Sequence, residues 1–162
     1  MTYAEGTEVT IRRSQEEVTR LLKKVGAVRI VATEDEPANA GVIMFELHAR
    51  RIQVAIPYPA LTERRFALRL RIKPETAWEA EKRRLWRVAV IRLKVDLETT
   101  EGDAAAFQNR LLPYTVLPNG RTVGEMVTGA VEDAVATGTM PTFLLGAPSP
   151  RLLAPPQIVD VP

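Results

Sequence analysis

The chain has 162 residues, a formal net charge of +2, no cysteine and one histidine. This length and an apolar content of 46% suit one globular domain and exclude wholesale disorder. The lack of cysteine excludes disulfides and thiolate chemistry, and a single histidine excludes paired-histidine metal sites. No apolar run reaches the ~18 residues of a membrane span, and the first residues lack a signal-peptide pattern, so we expect a cytoplasmic protein without membrane contact.

The first half of the chain predicts a helix followed by successive strands. Residues 8–13 predict a short strand, and the capping box from Ser14 to Glu17 predicts a helix over residues 15–25. Runs rich in apolar and β-branched residues predict the next strands at 28–33, 42–49 and 51–56, with a tight turn at Arg50-Arg51.

Residues 65–73 alternate strictly between apolar and basic side chains, which predicts a further strand. On such a strand Arg65, Arg69, Arg71 and Lys73 share one face, while Phe66, Leu68, Leu70 and Ile72 share the other. If this strand pairs with residues 51–56, Arg51 joins the same polar face. We therefore expect an antiparallel sheet with a basic exposed face.

The second half predicts helices. A capping box from Thr76 to Glu79 begins a long helix over 77–98, Asp103 begins a short one that ends near residue 112, and Thr122 begins another over 123–137. Residues 141–162 are rich in proline and predict an extended tail. The fold class is therefore α+β: four or five antiparallel strands backed by one long helix, in a single domain of residues 1–140.

The long helix carries apolar side chains nearly all round, since Val88, Ile91 and Val95 extend its apolar arc beyond one face. Its outer side must then be covered by the C-terminal helices or by another subunit. The tail adds six large aliphatic side chains that suit a neighbouring chain. These features predict a homo-oligomer.

Charge is unevenly placed along the chain. Residues 50–94 hold 13 basic and 4 acidic side chains, a net charge of +9, whereas residues 1–49 carry −2 and residues 95–162 carry −5. A basic segment between acidic ones is typical of a surface that binds a polyanion such as nucleic acid.

Two aromatic residues near this segment are candidates for stacking on bases. Tyr58 stands between two prolines, and Trp78 lies in the first turn of the long helix. Trp86, eight residues later, is better explained as a core residue. The complete predicted nucleic-acid site comprises Arg50, Arg51, Tyr58, Arg65, Arg69, Arg71, Lys73 and Trp78.

A metal-dependent nuclease is a third hypothesis. Glu46 and His48 alternate onto one face of a strand and would flank a divalent ion together with Asp35 or Glu17. The pattern lacks the lysine that nucleases of the restriction type carry two residues after the acid.

Several segments resemble a family of small bacteriophage and prophage proteins of uncharacterised function, over residues 1 to about 145. The resemblance rests on the helix that Ser14 begins and on the segments 3–9, 48–51, 117–125 and 136–141. It implies a phage context in the host cytoplasm and brings no catalytic residues. The element order is also similar, at the level of topology, to single-strand annealing proteins.

Taken together, these patterns favour a non-catalytic protein that binds single-stranded DNA in phage replication or recombination. Phosphates would meet the basic side chains, and the two aromatic rings would stack on bases. The alternative is an oligomeric phage interaction or structural protein whose basic face binds an acidic protein partner. No cofactor and no metal are expected for either function.

Overall fold

Three antiparallel strands in the order β1-β2-β3 form the sheet of the computed structural model, which describes residues 8–67 and 72–139. The α+β class is confirmed, but the described residues contain three strands, not four or five. The elements in chain order are α1 (Ile11–Lys24), β1 (Val28–Asp35), β2 (Ala40–Leu47), β3 (Arg50–Pro57), α2 (Arg64–Ala67), α3 (Pro74–Thr99), α4 (Ala104–Arg110), a 3₁₀ turn (Leu112–Tyr114) and α5 (Val123–Thr137).

The chain divides into two units, residues 1–124 and 125–162. The first unit contains the sheet, α1 to α4 and the 3₁₀ turn. The second contains most of α5, which has no buried residue. The predicted boundary at residue 140 stays a prediction, and the predicted tail lies outside the described residues. No helix of the described part is both long and apolar enough to cross a membrane.

The first helix begins earlier than its capping box predicts, so the strand expected at residues 8–13 is wrong. Thr10 is the N-cap, and its side-chain oxygen accepts a hydrogen bond from the backbone N–H of Arg13 at 3.2 Å. Ser14 lies inside the helix, fully buried. Ile11 also packs against the core, so the apolar face of α1 is one turn longer than the capping box predicts. The burial of this face outweighs the preference for a strand that the alternation over residues 8–13 indicates.

The long helix also begins before its expected cap. Lys73 occupies the N-cap position of α3 and Pro74 the first helical position, where proline loses no helical hydrogen bond. Thr76 is therefore inside the first turn. Downstream, Asp103 caps α4 as predicted, by accepting hydrogen bonds from the N–H groups of Ala105 and Ala106.

The fourth predicted strand is wrong where the structure describes it, because residues 64–67 form the short helix α2. Phe66 is buried, as its alternation predicts, but in a helical turn. In this turn the guanidinium of Arg65 lies 2.8 Å from the carboxylate of Glu63 and 3.8 Å from that of Glu81. Arg69 and Arg71 lie outside the described residues.

The turn between β2 and β3 consists of His48 and Ala49. The turn predicted at Arg50-Arg51 is therefore wrong by two residues. Leu47 and Arg50 are register partners, and both turn residues have positive φ, 47° and 63°. This geometry is that of a type I′ turn, which favours glycine at its second position. Ala49 therefore occupies a left-handed conformation at a cost in free energy.

We predict that Ala49→Gly stabilises the first unit by about 1 kcal/mol, because glycine adopts φ 63° without steric strain. Urea unfolding measures the change. Ala55→Gly is the matched control: it lies on β3 in extended backbone, where glycine only adds freedom to the unfolded chain, so it should destabilise. Equal effects of both substitutions would contradict the strained turn.

Helices α1 and α3 cover one face of the sheet, and the core lies between them. Trp86 of α3 is fully buried, as predicted, and its ring lies directly over Gly41 of β2. A methyl group at position 41 would come within 2.7 Å of the indole and 2.9 Å of the Tyr58 hydroxyl. Glycine is therefore required at position 41 because there is no room for a side chain. Its backbone φ is outside the left-handed region and does not itself require glycine.

We predict that Gly41→Ala destabilises the first unit by about 1–3 kcal/mol, the usual cost of overpacking a filled core. Gly129→Ala is the comparison, because an added methyl group there meets no atom within 4 Å. Chemical denaturation of both variants measures the difference. A stable Gly41→Ala protein would mean that Trp86 does not hold this position.

Candidate nucleic-acid interface

One end of the sheet gathers basic side chains from three chain segments. Val28 of β1 is the register partner of Glu46, and Glu46 is that of Arg51. The C-terminus of α1 lies just before β1, so its last residues reach the same end of the sheet. We call this group the basic end: Lys23, Lys24, Arg29, Arg50 and Arg51, all exposed.

The basic end contains one carboxylate within its segments, residues 23–29 and 46–51. Arg29 donates from Nη1 to both oxygens of Glu46, at 2.7 and 2.6 Å. These segments therefore carry five cations and one acid, a surplus of four positive charges. Such a surplus on an exposed surface attracts phosphates. Arg50 and Arg51 were predicted from the sequence, but the other three cations were not, because only the strand register brings them together.

The described residues of the basic face predicted from residues 51–56 and 65–73 do not come together, while Arg69 and Arg71 lie outside the described residues. β3 ends at Pro57, beside Asp35 and Ala40, so the chain that follows it starts at the far end. Eight residues of strand separate the two ends by about 23 Å. Arg65 and Lys73 are therefore apart from Arg50 and Arg51.

The far end of the sheet is acidic and holds the two predicted stacking residues. Glu34, Asp35 and Glu36 follow one another at the end of β1, and a cavity of about 280 Å³ lies between them and the start of α3. We call the group around this cavity the Lys82 cluster: Glu34, Tyr58, Trp78, Glu79 and Lys82.

Tyr58 and Trp78 are held inside this cluster. Tyr58 is 9% exposed; its hydroxyl donates to Glu34 at 3.1 Å and accepts from the Trp86 indole at 2.6 Å. Burial raises the pKa of the Tyr58 hydroxyl. Trp78 is half-buried and donates its N–H to the carbonyl of Pro59 at 2.8 Å. Neither ring is near the basic end, so the structure does not combine stacking and phosphate contacts in one site.

Lys82 fills the space between the two rings. Its ammonium lies 4.3 Å from the Trp78 ring centre and 5.4 Å from that of Tyr58. It also pairs with Glu79 at 2.9 Å and Glu34 at 3.1 Å. Burial opposes the charged amine, but these two carboxylates outweigh it and raise the pKa of Lys82. This cation is therefore committed to the fold.

Glu17 connects α1 to α3 instead of capping its own helix. Its carboxylate accepts from Arg87 at 2.6 Å and lies 2.5 Å from the Lys94 ammonium. Although Glu17 is 14% exposed, these partners outweigh burial, and the hydrogen bond from Lys94 contributes most to lowering its pKa. Two more cations of the basic segment are thus held by one carboxylate within the fold, which neutralises one of the two charges.

We predict that Glu17→Gln destabilises the first unit by about 1–3 kcal/mol at pH 7, the range for hydrogen bonds to charged groups. Since folding lowers the pKa of Glu17 below its ordinary 4.5, the stabilisation is complete above that value and is lost as pH falls through the folded pKa. The two proteins should therefore converge in acid.

Urea unfolding between pH 3 and 7 tests this dependence. Glu16→Gln is the matched control. Glu16 is 65% exposed and, among the described residues, pairs with the exposed Arg12, so its effect should stay below about 1 kcal/mol. A pH-independent loss in Glu17→Gln would contradict the ion-pair explanation.

The structure does not assemble the residues of the nuclease hypothesis. Glu46 pairs with Arg29, and Asp35 lies at the opposite end of the sheet. Glu17 is held by α3, and His48 is in the turn. Within residues 8–67 and 72–139, no group of three or more histidine or acidic side chains is placed to hold a metal ion.

Comparisons of this chain with protein-family models, curated proteins and solved structures found no match. The resemblance to phage proteins therefore stays a prediction, and a function has to be inferred from the charge and geometry of the chain itself.

Proposed function

We propose that this protein is a non-catalytic nucleic-acid-binding protein that contacts backbone phosphates with its basic end. The surplus of positive charge there is the observation that supports the proposal most directly, because the segments of the basic end carry five exposed cations and one carboxylate. Single-stranded DNA is the ligand to test first, in the setting of phage replication or recombination that the sequence resemblance implied.

The distribution of ion pairs favours this end over the rest of the basic segment. Lys82, Arg84, Arg87 and Lys94 each pair with a carboxylate of the fold. A cation already paired gains less from a phosphate, because its own partner must be displaced or left unpaired. Arg50 and Arg51 make no ion pair with a described carboxylate, so their charges are available.

Binding through phosphates alone has two consequences for the ligand. It carries no sequence information, since phosphates are the same at every base. It also lacks the stacking that makes a protein prefer single strands, because Tyr58 and Trp78 lie at the far end of the sheet. We therefore expect single- and double-stranded DNA of equal length to bind with similar affinity.

We predict that reversing three cations of the basic end, in the variant Lys24→Glu, Arg50→Glu, Arg51→Glu, weakens DNA binding by at least 100-fold. Fluorescence anisotropy with labelled oligonucleotides at several salt concentrations measures this. Because this variant neutralises three fewer phosphates, the slope of log affinity against log salt for single strands should become shallower by about 2.

The matched control reverses Arg12, Arg64 and Lys73, three exposed cations outside the basic end, with the same change in net charge. This control should bind DNA within about threefold of the unchanged protein. Thermal melting of both variants checks that they fold, since surface substitutions change stability little. The proposal is wrong if the control loses affinity as much as the first variant, or if the unchanged protein binds no DNA at low salt.

The second candidate is an interaction protein that associates with itself. The basic end and the acidic run Glu34-Asp35-Glu36 lie at opposite ends of one sheet, so the basic end of one copy complements the acidic end of another. Light scattering in the same salt series separates the two functions. Salt-sensitive oligomers without DNA binding would favour self-association, and the predicted homo-oligomer would then form by charge complementarity.

A further inference from the structure

An apolar cavity of about 180 Å³ lies between the covered face of the sheet and α3, wholly within the first unit. Its walls are aliphatic: Ile43, Val54 and Ile56 line the side of the sheet, and Leu85, Val88 and Ala89 line the side of the helix. The space is partly open to solvent, so a ligand could enter it without opening the core. An engineered apolar cavity of about 150 Å³ admits benzene, so this space suits one ring or a short aliphatic chain.

The mouth of the cavity carries an uncompensated cation. Arg92 of α3 lines it and is exposed, with its guanidinium 5.4 Å above the ring centre of Tyr114. Asp96 also lines the cavity, and its carboxylate lies 3.6 Å from Arg110, which provides its counter-charge. Arg92 forms no ion pair with any carboxylate in the described ranges. An anionic group beside Arg92 would therefore meet a guanidinium that has no ion pair, while Arg110 offsets the charge of Asp96.

We propose that this cavity binds a small amphiphilic carboxylate, with its apolar body among the aliphatic walls and its carboxylate on Arg92. An apolar pocket with few convergent polar groups is the usual form of a small-molecule site. The length that we propose is six to eight carbons, because the volume is close to that of a cavity that admits benzene. This site is separate from the basic end and goes beyond nucleic-acid binding.

Calorimetric titration of the full chain with butanoate, hexanoate and octanoate tests the site. Each buried methylene contributes about 0.8 kcal/mol, which converts to about a fourfold gain in affinity. Hexanoate should therefore bind about 16-fold more tightly than butanoate, at one molecule per chain. Octanol, which has the same chain and no charge, should bind at least fivefold more weakly than octanoate.

Three variants assign the binding to this cavity. Val88 and Ala89 of α3 line the cavity and are half-buried. Val88→Phe should fill the cavity with a ring and abolish octanoate binding. If that variant does not fold, Ala89→Leu fills the cavity instead. Arg92→Gln should weaken octanoate at least fivefold and leave octanol unchanged. Arg83→Gln, on the same helix but away from the cavity, should change neither.

Two results would overturn the proposal. The first is no octanoate binding at millimolar concentration. The second is binding that persists unchanged in both Val88→Phe and Ala89→Leu, which would place the ligand elsewhere. The carboxylate titration uses no DNA, so a negative result would not contradict DNA binding by the basic end. Failure of the protein to bind DNA would likewise not contradict carboxylate binding in the cavity.

Discussion

The position of the Trp86 indole over Gly41 determines how the other parts of this structure meet. The ring fills the space that a side chain at position 41 would occupy, and its N–H donates to the Tyr58 hydroxyl. Tyr58 in turn donates to Glu34, which binds Lys82. One buried ring thus links α3 to β1, to β2 and to the segment after β3. The acidic end of the sheet depends on this chain of contacts, because Lys82, on α3, reaches Glu34 only when the helix is in place.

Local pairing explains why a strongly basic stretch of sequence does not become one basic surface. Residues 50–94 carry a net charge of +9, but Arg87 and Lys94 meet Glu17 from another helix, and Lys82 meets Glu34 from a strand. The net charge of a segment does not show which of its charged side chains are paired with side chains of other segments. The surplus that matters for a polyanion is found where cations from distant segments meet too few acids, which happens at the basic end.

The sequence predicted elements whose signals are local and missed those set by tertiary contacts. The Asp103 cap, the buried Trp86 and the strands β1 to β3 agree with their patterns, since each depends on a turn of helix or on one strand's apolar face. The alternation at 65–73 predicted a strand, but a helical turn buries Phe66 equally well and gives Arg65 two carboxylates. The basic end could not be predicted, because Arg29 of β1 and Arg51 of β3 come to the same end only through the register with which each strand pairs with β2.

Within the residues that the structure describes, the sheet has three strands, and both outer strands carry features that limit further strand pairing. Thr115 forms a bridge with Ile52, and the N–H of Val116 donates to Arg51, so part of the β3 edge is already paired. β1 changes register between Val28 and Val31, where Arg29 adopts φ 51°. Such a bulge interrupts the regular spacing of hydrogen-bonding groups that an incoming strand needs. The same irregularity that directs Arg29 towards Glu46 thereby lowers the tendency of this small sheet to grow into aggregates.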